Sequence, residues 1–204
     1  CRNDISAFFR WWIVKIALKD ITSIQMGYSF RARLESMDSG AVAVIQMKDL
    51  TDQNRVDCSA LARVDMENPK EHHLAKPGDL IFRSRGLTST SAILLDDPGI
   101  AVVAAPLLRI RVSDHGILPE YLNWFIRQAP AQAFLTSHAK GTAQKMISKE
   151  TLEGLEVFVP PLERQRTIVE ITALAEKEQH ILEMLAERRH QYISTTLIRL
   201  AQGA

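Results

Sequence analysis

At 204 residues the chain has room for one domain with a substantial core plus an extension, and 46% apolar with 24% charged residues is ordinary for a folded protein. A net charge of +1 excludes a polycation, so any nucleic-acid contact must come from local basic patches. The two cysteines, Cys1 and Cys58, have neither metal-ligand spacing nor a disulfide framework, which points to a reducing, cytoplasmic setting.

The most apolar run, residues 8–18, is too short to span a membrane and carries Arg10 and Lys15. It has no small-residue cleavage site and so does not read as a signal peptide; the Trp11–Trp12 pair suits a membrane-surface segment or, as expected here, packing on the core. A start at Cys1 instead of Met suggests a trimmed or partial chain. Residues 13–18 read as a strand. Gly27 then permits a turn, and Tyr28 offers a flat face and a hydroxyl, either to the core beside that turn or to a ligand. Arg31, Arg33, Glu35, Asp38 and Gly40 read as a loop or hairpin, and residues 41–47 (AVAVIQM) as a buried strand. Residues 48–64 have no strong period and read as loops and short strands. Glu71-His72-His73 lacks the second ligand pair that a zinc site needs.

Pro77-Gly78-Asp79 is a turn, and residues 80–82 a strand. Alternation then puts Phe82 and Ser84 on one side and Arg83 and Arg85 on the other. Two arginines on one strand face, followed by acid-free Gly86-Leu87-Thr88-Ser89, suit phosphate or guanine, or else form a solvated face. Residues 92–95 and 100–104 read as a strand pair around the turn Asp96-Asp97-Pro98-Gly99. Residues 107–112 alternate, with Arg109 and Arg111 on one face. Pro119 and Glu120 open a helix that runs to about Arg127, and a second short helix covers residues 131–137.

A loop with lysines and no acid follows: Lys140, Gly141, Thr142, Ala143, Gln144, Lys145. Gly141 allows positive φ, and Thr142, Gln144 and Lys145 can donate to phosphate; a plain solvated loop is the alternative. Ser148 is an N-cap for a short helix, residues 155–159 return to a strand, and Pro160-Pro161 launches a long polar helix. Its apolar positions, among them Ile171, Leu174, Ile181, Leu185 and Ile193, recur at three- and four-residue steps, as in a bundle or coiled coil. Such a helix extends roughly 55 Å, too long to lie on a domain of this size, so part of it should meet a partner helix. No P-loop, dinucleotide fingerprint or nucleophile–histidine pair is present, so a binding module is expected and not an enzyme, with no cofactor and no metal.

Several of these stretches carry a resemblance. Gly141, Thr142, Gln144, Lys145, Ile147 and Ser148, then Leu152, Leu155, Pro160, Pro161, Leu162 and Gln165, resemble the target-recognition module of a type I restriction–modification specificity subunit. The opening at residues 18–30, the Lys76-Pro77-Gly78-Asp79 to Arg85-Gly86 segment (with Ala75 as a minor departure) and the helix at residues 118–122 resemble the same family in the same order. The resemblance implies a mixed α/β recognition domain over residues 1–160 and a helix over residues 161–204. It further implies double-stranded DNA and a methyltransferase subunit as partners, with docking and self-association through that helix, for which Ile171, Leu174, Ile181, Leu185 and Ile193 are the candidates. Members carry two recognition domains and two helices, and this chain has one of each. It is therefore expected to be half of a subunit or to dimerise and read an interrupted palindrome. Tyr28, Arg83, Arg85, Lys140, Gly141, Thr142, Gln144 and Lys145 are the candidate DNA contacts. A non-DNA-binding oligomeric adaptor is the competing expectation, favoured by the near-neutral charge.

Overall fold

A computed structural model describes residues 14–30, 40–67, 69–86, 90–141 and 145–203. The expectations for Trp11, Trp12, Arg31, Arg33, Glu35, Asp38, Leu87, Thr88, Ser89, Thr142 and Gln144 lie outside the described residues. The architecture is mixed α/β with a long C-terminal helix.

Among the described residues three sheets form the domain. A four-stranded antiparallel sheet has the order β2 (Thr22–Met26), β8 (Leu107–Val112), β5 (Leu80–Arg83), β6 (Ser91–Ile93). A three-stranded sheet has the order β4 (Ala62–Val64), β3 (Val42–Ile45), β7 (Ala101–Val103), with β3 and β7 parallel. A two-stranded ribbon joins β1 (Val14–Ala17) to β9 (Glu156–Val159).

The pattern of β3 explains its place. Ala43 and Ile45 face one core cluster with Ile81, Ala92, Leu94 and Leu107, whereas Val42 and Val44 face a second with Val64, Val102 and Ala104. A strand apolar at every position is thus buried on both faces. The expected pair around Asp96–Gly99 does not form. β6 joins β5 and β7 joins β3, so the turn carries the chain from one sheet to the other. Both flanking runs are short and wholly apolar, a pattern that marks burial but not the partner.

Helix α1 (Leu18–Ile21) is a single turn between β1 and β2 that buries Leu18 and Ile21, so the strand expected over residues 13–18 ends at Ala17. Helix α2 (Pro119–Ile126) starts with Pro at its first position and buries Tyr121, Leu122, Asn123, Phe125 and Ile126. Helix α3 (Ala129–His138) follows, then α4 (Lys149–Glu153), where the Ser148 hydroxyl accepts the Thr151 N–H at 3.1 Å as the sequence predicts. Helix α5 (Leu162–Ala201) has 40 residues.

By internal contacts the chain forms two units, residues 1–166 and 167–204. The division falls inside α5, after its first turn. That turn belongs to the first unit because Gln165 is fully buried there. Its Oε1 accepts the Leu118 N–H at 2.8 Å, and its Nε2 donates to Gly116 O at 2.8 Å and Pro160 O at 2.7 Å.

Candidate nucleic-acid interface

The end of β5 and the lysine loop, separate in sequence, meet in the fold. Ile147 N–H donates to Ser84 O at 2.8 Å, and Gly86 N–H reaches Lys145 O at 3.4 Å. Lys140 and Met146 exchange N–H···O bonds at 3.0 and 2.9 Å, which closes the loop between them. Gly141 sits in this loop at φ +97°, a conformation that disfavours any side chain, as expected from the sequence. Arg85 lies across the bridge from Met146, with its Nε 3.3 Å from Met146 Sδ. Arg85, Lys140, Gly141 and Lys145 are thereby brought together, all exposed.

Arg83 is not part of that exposed group. Its Nη2 donates to Leu50 O at 2.8 Å and to Met47 O at 3.4 Å, so its guanidinium is half-buried and ties the 47–50 turn to β5. Alternation places Arg83 and Arg85 on one side, but the neighbouring turn covers only the first. Ser84 is buried beside them and donates its hydroxyl to Pro106 O.

Tyr28 is 37% exposed and bridges Ala104. Its N–H donates to Val103 O at 2.7 Å, and its ring meets Phe30 edge-on at 4.8 Å and His73 at 5.5 Å. Burial beside positive neighbours pushes the His73 imidazole below its usual range. Gly27 serves close packing and not a positive φ: a Cβ there would sit 2.6 Å from the Ala104 carbonyl carbon. Among the described residues no three His, Cys, Asp or Glu are grouped to hold a metal, and no helix is long and apolar enough to cross a membrane.

Arg109 and Arg111 converge on Asp79, which is 1% exposed. Arg111 binds it bidentately, Nε to Oδ1 and Nη2 to Oδ2, both at 2.7 Å, and Arg109 Nη1 lies 3.7 Å from Oδ1. Hydrogen bonding to Asp79 raises the Arg111 pKa, whereas burial lowers that of Arg109. These arginines lock the start of β5 to β8. The alternation in β8 shows their shared face but not the acid that holds them.

One feature of this region is not marked in the sequence. Ser29, Phe30, Gln46, Met47 and the 104–106 turn line a groove of about 420 Å³. Gln46 follows β3, and its N–H donates to Asp49 Oδ2 at 2.7 Å.

On α5, all five expected partner-helix residues are exposed, from 45% for Ile193 to 68% for Leu174. Apolar side chains so exposed and so spaced form a stripe that a solitary solvated helix does not need.

A mixed α/β domain bearing a basic edge is thus followed in the chain by a long helix. The chain belongs to the family of the type I restriction modification DNA specificity domain, whose model matches residues 12–183. Its fold is similar to the HsdS subunit from Thermoanaerobacter tengcongensis (TM-score 0.58, 16% identity, 83% of this chain and 38% of that one). It is also similar to a chain from a structure described as the structural basis of complex assembly and conformational transition of the type I R-M system (TM-score 0.63, 17% identity, 83% and 39%). A third similar structure is the type I restriction-modification system S subunit from M. genitalium (TM-score 0.55, 12% identity, 88% and 43%). This chain spans about two-fifths of the length of these solved chains. No curated protein matches it.

Proposed function

We propose that the chain is a sequence-specific double-stranded DNA-binding specificity subunit of a type I restriction–modification system. It directs a partner methyltransferase and endonuclease to a bipartite site and is not itself an enzyme. Residues 1–160 read DNA; residues 161–204 serve dimerisation and docking on the methyltransferase subunit. Two copies, joined through the α5 stripe of Ile171, Leu174, Ile181, Leu185 and Ile193, supply both halves of the site, which is then an interrupted palindrome. At 40 residues α5 is about 60 Å long, which sets the scale of the spacer.

The observation that carries this reading is the stitching of Arg85 to the Lys140–Lys145 loop. Three exposed cations from two stretches share one edge, and the described residues of those stretches, 83–86, 140–141 and 145–147, contain no acid. Such an edge suits a phosphate backbone and positions the protein without reading sequence. Thr142 and Gln144 belong to the same loop and are proposed for the same role; Tyr28 is the proposed contact on the neighbouring surface. Arg83, held by two carbonyls, supports the edge.

Duplex binding measured across a salt series tests this. Lys145→Ala and Arg85→Ala should each weaken binding to all sequences and lower the salt slope by about one. An unchanged slope removes that residue from the phosphate contacts. The near-neutral charge favours the second reading, an oligomeric adaptor that binds no DNA; wild-type protein with no salt-dependent affinity would establish it.

A further inference from the structure

Met146 stands between two of the cations on the basic edge. On one side its N–H donates to Lys140 O at 2.9 Å and its carbonyl accepts the Lys140 N–H at 3.0 Å. On the other side it faces Arg85, and the bonds flank the pair: Ile147 N–H to Ser84 O and Gly86 N–H to Lys145 O. Lys140–Met146 is therefore a hydrogen-bonded antiparallel pair and Arg85–Met146 a non-hydrogen-bonded one. Directly opposed side chains share a face, and those of a non-hydrogen-bonded pair lie closer, at a Cα separation of about 4.5 Å. The side chains of Arg85, Met146 and Lys140 thus form one row, a thioether between two charges.

Arg85 Nε donates to Met146 Sδ at 3.3 Å. Sulfur is a weak acceptor, so this bond adds little to the stability of the fold. It does orient the guanidinium. Among the described residues Arg85 Nη1 and Nη2 meet no acceptor. Arg83 makes the contrast, because Leu50 O and Met47 O occupy its Nη2. The support is rooted in the fold: Met146 is half-buried, and Ile147 beside it is 2% exposed.

We infer that Met146 is a positioning residue for DNA binding: its sulfur holds Arg85 through Nε and leaves Nη1 and Nη2 for a backbone phosphate. The inference rests on the DNA-recognition reading above. A guanidinium presents its donors as a planar fork, so its orientation decides whether both terminal nitrogens reach one phosphate. An unheld arginine loses its side-chain freedom only on binding, a penalty of roughly threefold to tenfold in affinity.

Met146→Leu removes the acceptor and keeps the apolar volume. Binding of the full chain to a labelled mixed-sequence duplex should weaken roughly threefold to tenfold. The salt slope should stay that of wild type, because the thioether carries no charge. Arg85→Lys keeps the cation without an Nε–H, so adding Met146→Leu to it should change nothing further. Equal weakening in both backgrounds would make Met146 a plain packing residue and overturn the inference, as would wild-type affinity of Met146→Leu. Exchange of the Arg85 Nε–H in the DNA-free wild type, read by NMR, decides the matter if Met146→Leu fails to fold by thermal unfolding. Slower exchange than at the exposed Arg55 is expected, and equal rates overturn the inference. Wild-type protein without salt-dependent duplex affinity removes the DNA-recognition reading itself. The Arg85 Nε–H is then still protected, which separates that failure from a failure of the sulfur contact.

Discussion

Gln165 Oε1 lies 2.8 Å from the N–H of Leu118, 47 residues earlier, and so caps the backbone that enters α2. The same side chain donates to Gly116 O and Pro160 O, and none of it is exposed. A buried amide with three partners holds the first turn of α5 on the domain. Gln165→Leu fills similar space but leaves one N–H and two carbonyls unpaired. A loss of about 3 kcal/mol is expected in urea unfolding, by summing the usual cost of such groups. A change under about 1 kcal/mol would show that water takes over all three bonds.

Asp79 is the only carboxylate among the described residues that meets both Arg109 and Arg111. Asp79→Ala strands a 4%-exposed arginine and a half-buried one. Removing one member of a buried ion network costs about 3–5 kcal/mol. Because Arg111 can swing toward solvent, the lower end is expected. Urea midpoints for Asp79→Ala and the milder Asp79→Asn check the order, and equal stability of all three proteins would contradict it.

Tyr121 donates its hydroxyl to Phe158 O at 2.6 Å, and burial pushes its pKa up to about 12. The folded state thus keeps a proton that the unfolded chain releases near pH 10. Stability from this group is complete below pH 10 and is lost as pH rises toward 12. Tyr121→Phe should cost about 1 kcal/mol at neutral pH. It should also flatten the alkaline fall between pH 10 and 12 relative to wild type. Parallel curves for the two proteins over that range would mean that Tyr121 ionises freely in the fold.

Two glycines should respond oppositely to alanine. Gly27→Ala forces a Cβ within 2.6–2.7 Å of the Ala104–Ala105 backbone and should cost about 1–3 kcal/mol. Gly154 follows α4 at φ −81°, and a Cβ there meets nothing closer than 3.6 Å. Gly154→Ala should be stabilising by about 0.5 kcal/mol through the unfolded chain. Thermal unfolding of the pair checks the signs, and destabilisation by both would show that close approach is not what distinguishes them.

Local signals were readable in the sequence where a single side chain sets the backbone. The Ser148 cap, Pro119 at the start of α2 and the 3- and 4-residue spacing of α5 each act within one turn, and each matches the structure. The strand alternation of β8 likewise placed Arg109 and Arg111 together. Non-local pairings were not readable. Nothing around Asp96–Gly99 says that β7 runs parallel to β3, more than 50 residues earlier. Arg83 and Arg85 look equivalent by alternation, and only the 47–50 turn, distant in sequence, separates their environments. The basic edge was legible as two stretches but not as one site, because backbone bonds of residues 84–86 to residues 145–147 create it.

The most direct test of the recognition role is selection from randomised duplexes by the purified chain, alone and with a cognate methyltransferase subunit. The account predicts a gapped palindrome, read by two copies joined through α5. A single short half-site would contradict the homodimer, and no enrichment in either condition would contradict DNA recognition.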